Sequence, residues 1–291
     1  MYRSLLFVPA HEEKYYLSAK KACPDVLIYD LEDSVPENAK SIAKELISKK
    51  IEKKEKQKNF IRIRYDRTDS YYEDILDTIA LPIQGYILPK VESAYDVVEV
   101  SRTISYLEKE NGIMGYAIKL ICLIESPKGI LNIAKIAENT DRVIGIGFGG
   151  EDYSASINAE TVHDVFLHPR SSIIVAAKAF KLLVFDTVYL NYMNNEGFRQ
   201  ELTMNKELGF DGKLLIHPNQ VMITNEVFSY SKKQVDGLLK IIEEFEKIKK
   251  QDNKNVAIID NVVYEEPHIK RLKSIVKRYR WLNKRTHLKT L

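Results

Sequence analysis

Eight short apolar runs, separated by longer amphipathic stretches and opening mostly onto charged residues, predict an α/β fold: a (β/α)8 TIM barrel with a C-terminal helical appendage. The runs are SLLFV (4–8), VLIY (26–29), FIRI (60–63), GYILP (85–89), IKLICLI (118–124), VIGIGF (143–148), LLVFDTVYL (182–190) and KLLI (213–216). A chain of 291 residues accommodates one such barrel.

Between the runs lie helical stretches at 37–54, 94–110, 129–139, 168–180 and 195–208. After Gln220 come a long amphipathic helix (231–250), a polar linker (251–255), a short strand VAIID (256–260) and a basic helix (268–282). The expected division is a catalytic barrel at 1–250 and an appendage or lid at 251–291, packing on the barrel or on a neighbouring subunit.

Composition excludes several classes of function. The net charge of +3 gives no general polyanion-binding role, so no nucleic-acid partner is expected. The exception is local: residues 268–291 hold nine Lys or Arg and no acid. No apolar stretch approaches the ~18 residues a membrane span needs. The N-terminal run is too short for a signal sequence. Cys23 and Cys122 match neither a metal nor a disulfide framework, so a reducing cytoplasmic setting is expected.

Barrel chemistry is built where strands end, and these ends are polar. Strand 2 runs into Asp30, Glu32 and Asp33; strand 3 carries Arg62 and Arg64; strand 4 ends on Lys90, strand 5 on Glu125, strand 6 on Glu151 and Asp152, and strand 8 on His217. Glu125 and Asp152 are one βα unit apart, which sets two carboxylates on neighbouring strand tips, a pairing suited to Mg²⁺. Arg62 and Arg64, two apart on a strand, fall on one face, where an arginine near the mouth clamps a carboxylate or enolate oxygen. Spacing alone puts Arg3 on the surface and gives His217 a structural role. The glycines of GIGFGGED make a weak nucleotide-loop signal and read better as clearance for backbone and ligand.

The segments RSLLFVPA, LIYDLEDSVPENAK, IRIRYD, LPKVES, LIESPKGILN, GFGGEDYS, HPRSSIIVAAKA and LGFDGKLLIHPNQV, in that order, resemble the citrate lyase β-subunit group of the HpcH/HpaI aldolase superfamily. The resemblance implies a barrel in homotrimers or homohexamers, with Mg²⁺ held by Glu125 and Asp152. It implies Arg62 on the substrate carboxylate or nascent enolate, Lys90 orienting a ligand carboxylate, Glu32 and Asp33 supporting metal-bound waters, and Arg3 in substrate binding at the thioester end. The implied reaction breaks a carbon–carbon bond β to a thioester carbonyl.

The chain departs from the family pattern twice. Arg64 stands where relatives carry Asn, which adds positive charge. In the tail, DNVVYEEPH places Glu265 at the position of a catalytic Asp. The expected substrate is a 3-hydroxy-acyl thioester of citryl, malyl or citramalyl type on coenzyme A or an acyl carrier protein. Arg271, Lys273, Lys277 and Arg278 are candidates to dock that carrier. The alternatives are an aldolase acting on a free hydroxy acid, and a non-catalytic or repurposed barrel subunit of a biosynthetic complex.

Overall fold

In the computed structural model, residues 1–51, 57–66, 68–139, 141–160, 163–252 and 255–287 are described. Two compact units form, Tyr2–Phe228 and Ser229–Leu291, the latter with Met1.

The first unit is a closed barrel of eight parallel strands: β1 (Ser4–Pro9), β2 (Val26–Asp30), β3 (Lys58–Arg62), β4 (Gly85–Leu88), β5 (Lys119–Ile124), β6 (Val143–Phe148), β7 (Leu183–Asp186) and β8 (Gly212–Leu215). It closes through β1 and β8, with Ser4 opposite Lys213 and Leu6 opposite Leu215. Alternate residues fill the interior, among them Leu5, Ile28, Phe60, Ile87, Ile121 and Leu214. The opposite alternation meets the helices, in a larger core that includes Leu6, Leu27, Ile61, Tyr86 and Leu215. Each such side chain contributes about 1.5–3 kcal/mol by leaving water.

The surrounding helices are α1 (Glu13–Ala22), α2 (Lys40–Lys50), α3 (Ser70–Thr78), α4 (Ala94–Glu110), α5 (Pro127–Leu131), α6 (Ile133–Ala137), α7 (Gly150–Ser156), α8 (His163–Ala179), α9 (Asn195–Leu208) and α10 (Asn219–Val227). The helices expected at 94–110 and 195–208 form over those bounds because both ends are punctuated. A Ser93–Asp96 capping box opens α4. Asn194 caps the start of α9, and Gly209, at φ 110°, ends it. The helix expected at 37–54 is a 3-10 turn (Glu37–Ala39) followed by α2, and its residues 52–54 lie outside the described residues. The stretch expected at 129–139 is split at Asn132 into α5 and α6.

Strand seven is shorter than its apolar run. It stops at Asp186, whose carboxylate turns away from the interior to meet Arg170, Lys213 and Asn205. Thr187 and Val188 then belong to the mouth of the barrel.

The second unit contains α11 (Lys232–Asp252), a hairpin of β9 (Val256–Ile259) and β10 (Val262–Glu265), and α12 (Glu266–His287). Asp260 and Asn261, at φ 49° and 61°, form the left-handed two-residue turn that the twist of a hairpin favours. Phe245, Ala257, Ile259, Ile269 and Leu272 form its core. The division falls at Phe228/Ser229 and not at the expected residue 250, because α11 packs against β9 and α12. Among the described residues no helix is long and apolar enough to cross a membrane.

Candidate active site

At the C-terminal ends of the strands a cavity of about 320 Å³ opens, lined by Phe7, Asp30, Asp33, Ser34, Arg62, Leu123, Glu125, Gly149, Asp152 and Thr187, among others. The parallel strands deliver these residues to one rim, and the βα loops hold them there.

Glu125 follows β5 directly and is buried. Its Oε2 accepts the backbone N–H of Lys90 at 2.8 Å, which Lys90 presents from a left-handed conformation, φ 53°. Gly149 packs against the other face of this carboxylate: a Cβ there would stand 2.4 Å from Glu125 Cγ and 2.7 Å from Oε1. Gly150 is likewise confined by Phe166 and by Thr187, whose Oγ1 accepts its N–H at 2.8 Å. The two glycines let α7 start against the site, and its first turn carries Asp152, exposed at the cavity wall.

Burial, and then the charges of Glu32 and Asp152, push the Glu125 carboxyl up to about 8. Neither Asp152 nor Oε1 of Glu125 has a hydrogen-bond partner among the described residues. Two neighbouring carboxylates with open oxygens fit a divalent cation, which would offset the burial and the repulsion that together raise Glu125. The all-oxygen set suits Mg²⁺, which takes one or two protein carboxylates and keeps its other positions for water and substrate. In keeping with so sparse a set, no group of three or more metal-ligating side chains is assembled among the described residues.

Beside this pair, Arg62 is held in a cage of acids. Its Nε and Nη2 donate to Asp30 Oδ1 and Oδ2 at 2.7 and 2.6 Å, and its Nη1 lies 3.0 Å from both Glu32 and Asp33. The guanidinium stacks on Phe7. Burial disfavours the Asp30 charge, but the bonds from Arg62 outweigh it and hold that carboxyl below the usual range. For Glu32 burial wins over Arg62 and Lys90, and its carboxyl is raised. Lys90 reaches Glu32 at 2.6 Å and is half exposed at the rim. From outside the barrel, Lys40 Nζ donates to the Leu31 and Glu32 carbonyls, both at 2.6 Å, and so braces the loop bearing these acids.

The structure therefore brings together Glu32, Asp33, Arg62, Lys90, Glu125 and Asp152, and it corrects two further expectations. Arg64 does not join the site. β3 ends at Arg62, so the two-residue alternation lapses, and Arg64 turns outward to pair bidentately with Asp74 on α3 at 3.1 and 2.7 Å. Arg3 precedes β1 and so lies at the end of the barrel opposite the mouth. There its Nε and Nη2 hold Asp25 at 2.8 and 2.9 Å.

Glu265 ends β10 in the second unit, where its carboxylate is exposed and its N–H donates to His268. Of the tail cations, Lys273 and Lys277 line a groove of about 500 Å³ with Leu239, Ile242 and Trp281, and Lys273 also pairs with Glu246. Residues 288–291 of the basic tail lie outside the described residues. His217 is structural: its Nδ1 accepts the Asn219 N–H and its ring stacks on Tyr192 at 4.4 Å. Cys122 is buried and Cys23 exposed, and both are free thiols.

Sequence reasoning passed over Ser34, Lys40 and Thr187 as site residues. Ser34 and Lys40 lie in the DLEDSVPENAK segment, where the acids carry the stronger chemical signal. Thr187 was hidden inside a run read as continuous strand.

A closed parallel barrel whose mouth sets two open carboxylates beside a caged arginine and a lysine defines a barrel enzyme. The chain belongs to the HpcH/HpaI aldolase/citrate lyase family, which matches residues 3–218, and it is a lyase. Citrate lyase subunit beta of Haemophilus influenzae is 32% identical over 280 residues, 95% of this chain and 96% of that protein. Mitochondrial citramalyl-CoA lyase of Rattus norvegicus is 29% identical over 289 residues, 94% of this chain and 85% of the relative. A solved structure of the citrate lyase beta subunit of Mycobacterium tuberculosis, complexed with oxaloacetate and magnesium, superposes with a TM-score of 0.67 at 28% identity. It covers 77% of this chain and 96% of that one.

Proposed function

We propose that this lyase is Mg²⁺-dependent and cleaves, or in reverse forms, the carbon–carbon bond β to the carbonyl of a 3-hydroxy-acyl thioester of citryl, malyl or citramalyl type. The products are an α-oxo acid and an acyl thioester on coenzyme A or an acyl carrier protein. The reading rests on one observation above the rest: Glu125 and Asp152, on neighbouring βα units, line one cavity with Arg62 and leave oxygens open to it. The names of the relatives, which include citrate lyase and citramalyl-CoA lyase, support the substrate class.

Glu125 and Asp152 would hold the Mg²⁺ ion, which supplies Lewis-acid polarisation of a substrate oxygen. Arg62 receives the substrate carboxylate or the nascent enolate. Asp30 keeps its fork in place while exposed Asp33 yields its contact to the ligand. Lys90, at the rim, orients a ligand carboxylate. Glu32 and Asp33 position water near the carboxylate pair. The hydroxyl proton passes to a base, the C–O bond becomes C=O, and the electron pair of the broken C–C bond leaves as the enolate of the acyl thioester, which is then protonated. Glu265 is the proposed acid/base group. The protein is read as a cytoplasmic homotrimer or homohexamer, a state that light scattering measures.

Purified protein with Mg²⁺ and citryl-, malyl- or citramalyl-thioesters, on either carrier, should release an α-oxo acid. Asp152→Ala should slow release by on the order of 10²–10³-fold with unchanged circular dichroism. Wild-type inactivity on every thioester, or an Asp152→Ala variant as fast as wild type, would overturn the reading.

A further inference from the structure

We infer that Gly149 is a positioning residue for the cation: with the Lys90 N–H, it holds the Glu125 carboxylate so that one oxygen, Oε1, is presented, which favours Mg²⁺ over Ca²⁺. The inference rests on the carboxylate-pair reading above. Gly149 has a negative φ, −98°, so no left-handed backbone calls for glycine there. The need is for space, and Glu125 sets it. The three atoms nearest a Cβ at this position would all be its own: Cγ at 2.4 Å, Oε1 at 2.7 Å and Cδ at 2.9 Å.

The Gly149 backbone is pinned on both sides. Its N–H donates to the Ile124 carbonyl at 2.9 Å, and its carbonyl accepts the Tyr153 N–H of α7 at 3.1 Å. Across the carboxylate, the Lys90 N–H donates to Oε2 at 2.8 Å, and the next residue, Val91, is tied to the Leu123 carbonyl at 3.1 Å. Both walls are therefore main chain held to β5, and the carboxylate is the part that moves. With Oε2 engaged, Glu125 offers a cation Oε1 alone. A one-oxygen ligand suits Mg²⁺, which needs few carboxylates in near-octahedral geometry, whereas Ca²⁺ takes about six to eight oxygens and gains from two-oxygen carboxylates. A methyl group at position 149 would drive the carboxylate off Lys90 and free both oxygens.

Calorimetric titration of Mg²⁺ and of Ca²⁺ into chelator-treated wild type, Gly149→Ala and Gly147→Ala tests this. Gly147→Ala is the control for crowding, because its Cβ would stand 2.6 Å from Leu123 Cδ2 and not against a carboxylate. Gly149→Ala should weaken Mg²⁺ at least about tenfold and Ca²⁺ by less than about threefold, while Gly147→Ala keeps Mg²⁺ within about twofold. Should Gly149→Ala fail to fold, the same substitution in a Glu125→Ala background must restore folding, since the side chain it crowds is gone. Wild-type Mg²⁺ affinity in Gly149→Ala, an equal loss for both cations, an equal Mg²⁺ loss in Gly147→Ala, or a double variant that does not fold overturns the role of Gly149 alone. A wild-type protein that binds no Mg²⁺ overturns the carboxylate-pair reading and the inference with it.

Discussion

Two carboxylates at the ends of barrel strands, Asp186 after β7 and Glu125 after β5, are both buried, yet their surroundings are opposite. Asp186 faces the helices and is saturated: Arg170 binds both its oxygens at 2.8 Å, Lys213 donates at 2.9 Å and Asn205 at 2.7 Å. Burial disfavours its charge, but Lys213 and Arg170 overcome this and hold the carboxyl below the usual range. Glu125 faces the mouth, with one backbone donor and two nearby acids, and its carboxyl is pushed up to about 8. The same side-chain type at similar depth is a structural tie where its charge is balanced and a candidate ligand site where the balance is left to something else.

The largest effect that separates the two is on stability. Asp186→Ala leaves Arg170 and Lys213 buried with Glu201 as their remaining anion, and should cost about 3 kcal/mol in chemical denaturation. A loss below about 1 kcal/mol would show the network to be dispensable.

Glu125→Gln should act in the opposite direction. In chelator-treated protein the Glu125 carboxyl is raised from its ordinary 4.5 to about 8, so the native state holds a proton that the unfolded chain has released across that window. Stability of the wild type is therefore undiminished below about pH 4.5 and falls as pH rises toward 8. Glu125→Gln escapes that fall, so the difference in unfolding free energy in its favour, read by chemical denaturation across pH, should open between pH 4.5 and 8, reaching on the order of a few kcal/mol. A difference independent of pH would argue against the crowding.

Arg64→Ala is the smallest perturbation. It removes a pairing with Asp74, which retains Lys44 at 3.0 Å, and should cost about 1–2 kcal/mol. KM for the thioester should not move. A large rise in KM would return Arg64 to the site.

The barrel was legible because strand period and strand count depend on local apolar patterning, which the eight runs display directly. The carboxylate pair was legible for a related reason: residues just past a barrel strand have few places to go but the mouth. Arg64 misled because the alternation rule holds only within a strand, and β3 ends two residues before it. The LLVFDTVYL run misled because Asp186 is buried by partners distant in sequence on α8, α9 and β8, which no local pattern reports.

The most direct test of the central claim, that Glu125 and Asp152 together form a divalent-cation site, is a Mg²⁺ titration of chelator-treated protein followed by calorimetry. Wild type should bind one ion per chain, and Asp152→Ala and Glu125→Gln should each weaken it at least about tenfold while Asp33→Asn changes it far less. Undiminished Mg²⁺ affinity in both Asp152→Ala and Glu125→Gln would contradict the account.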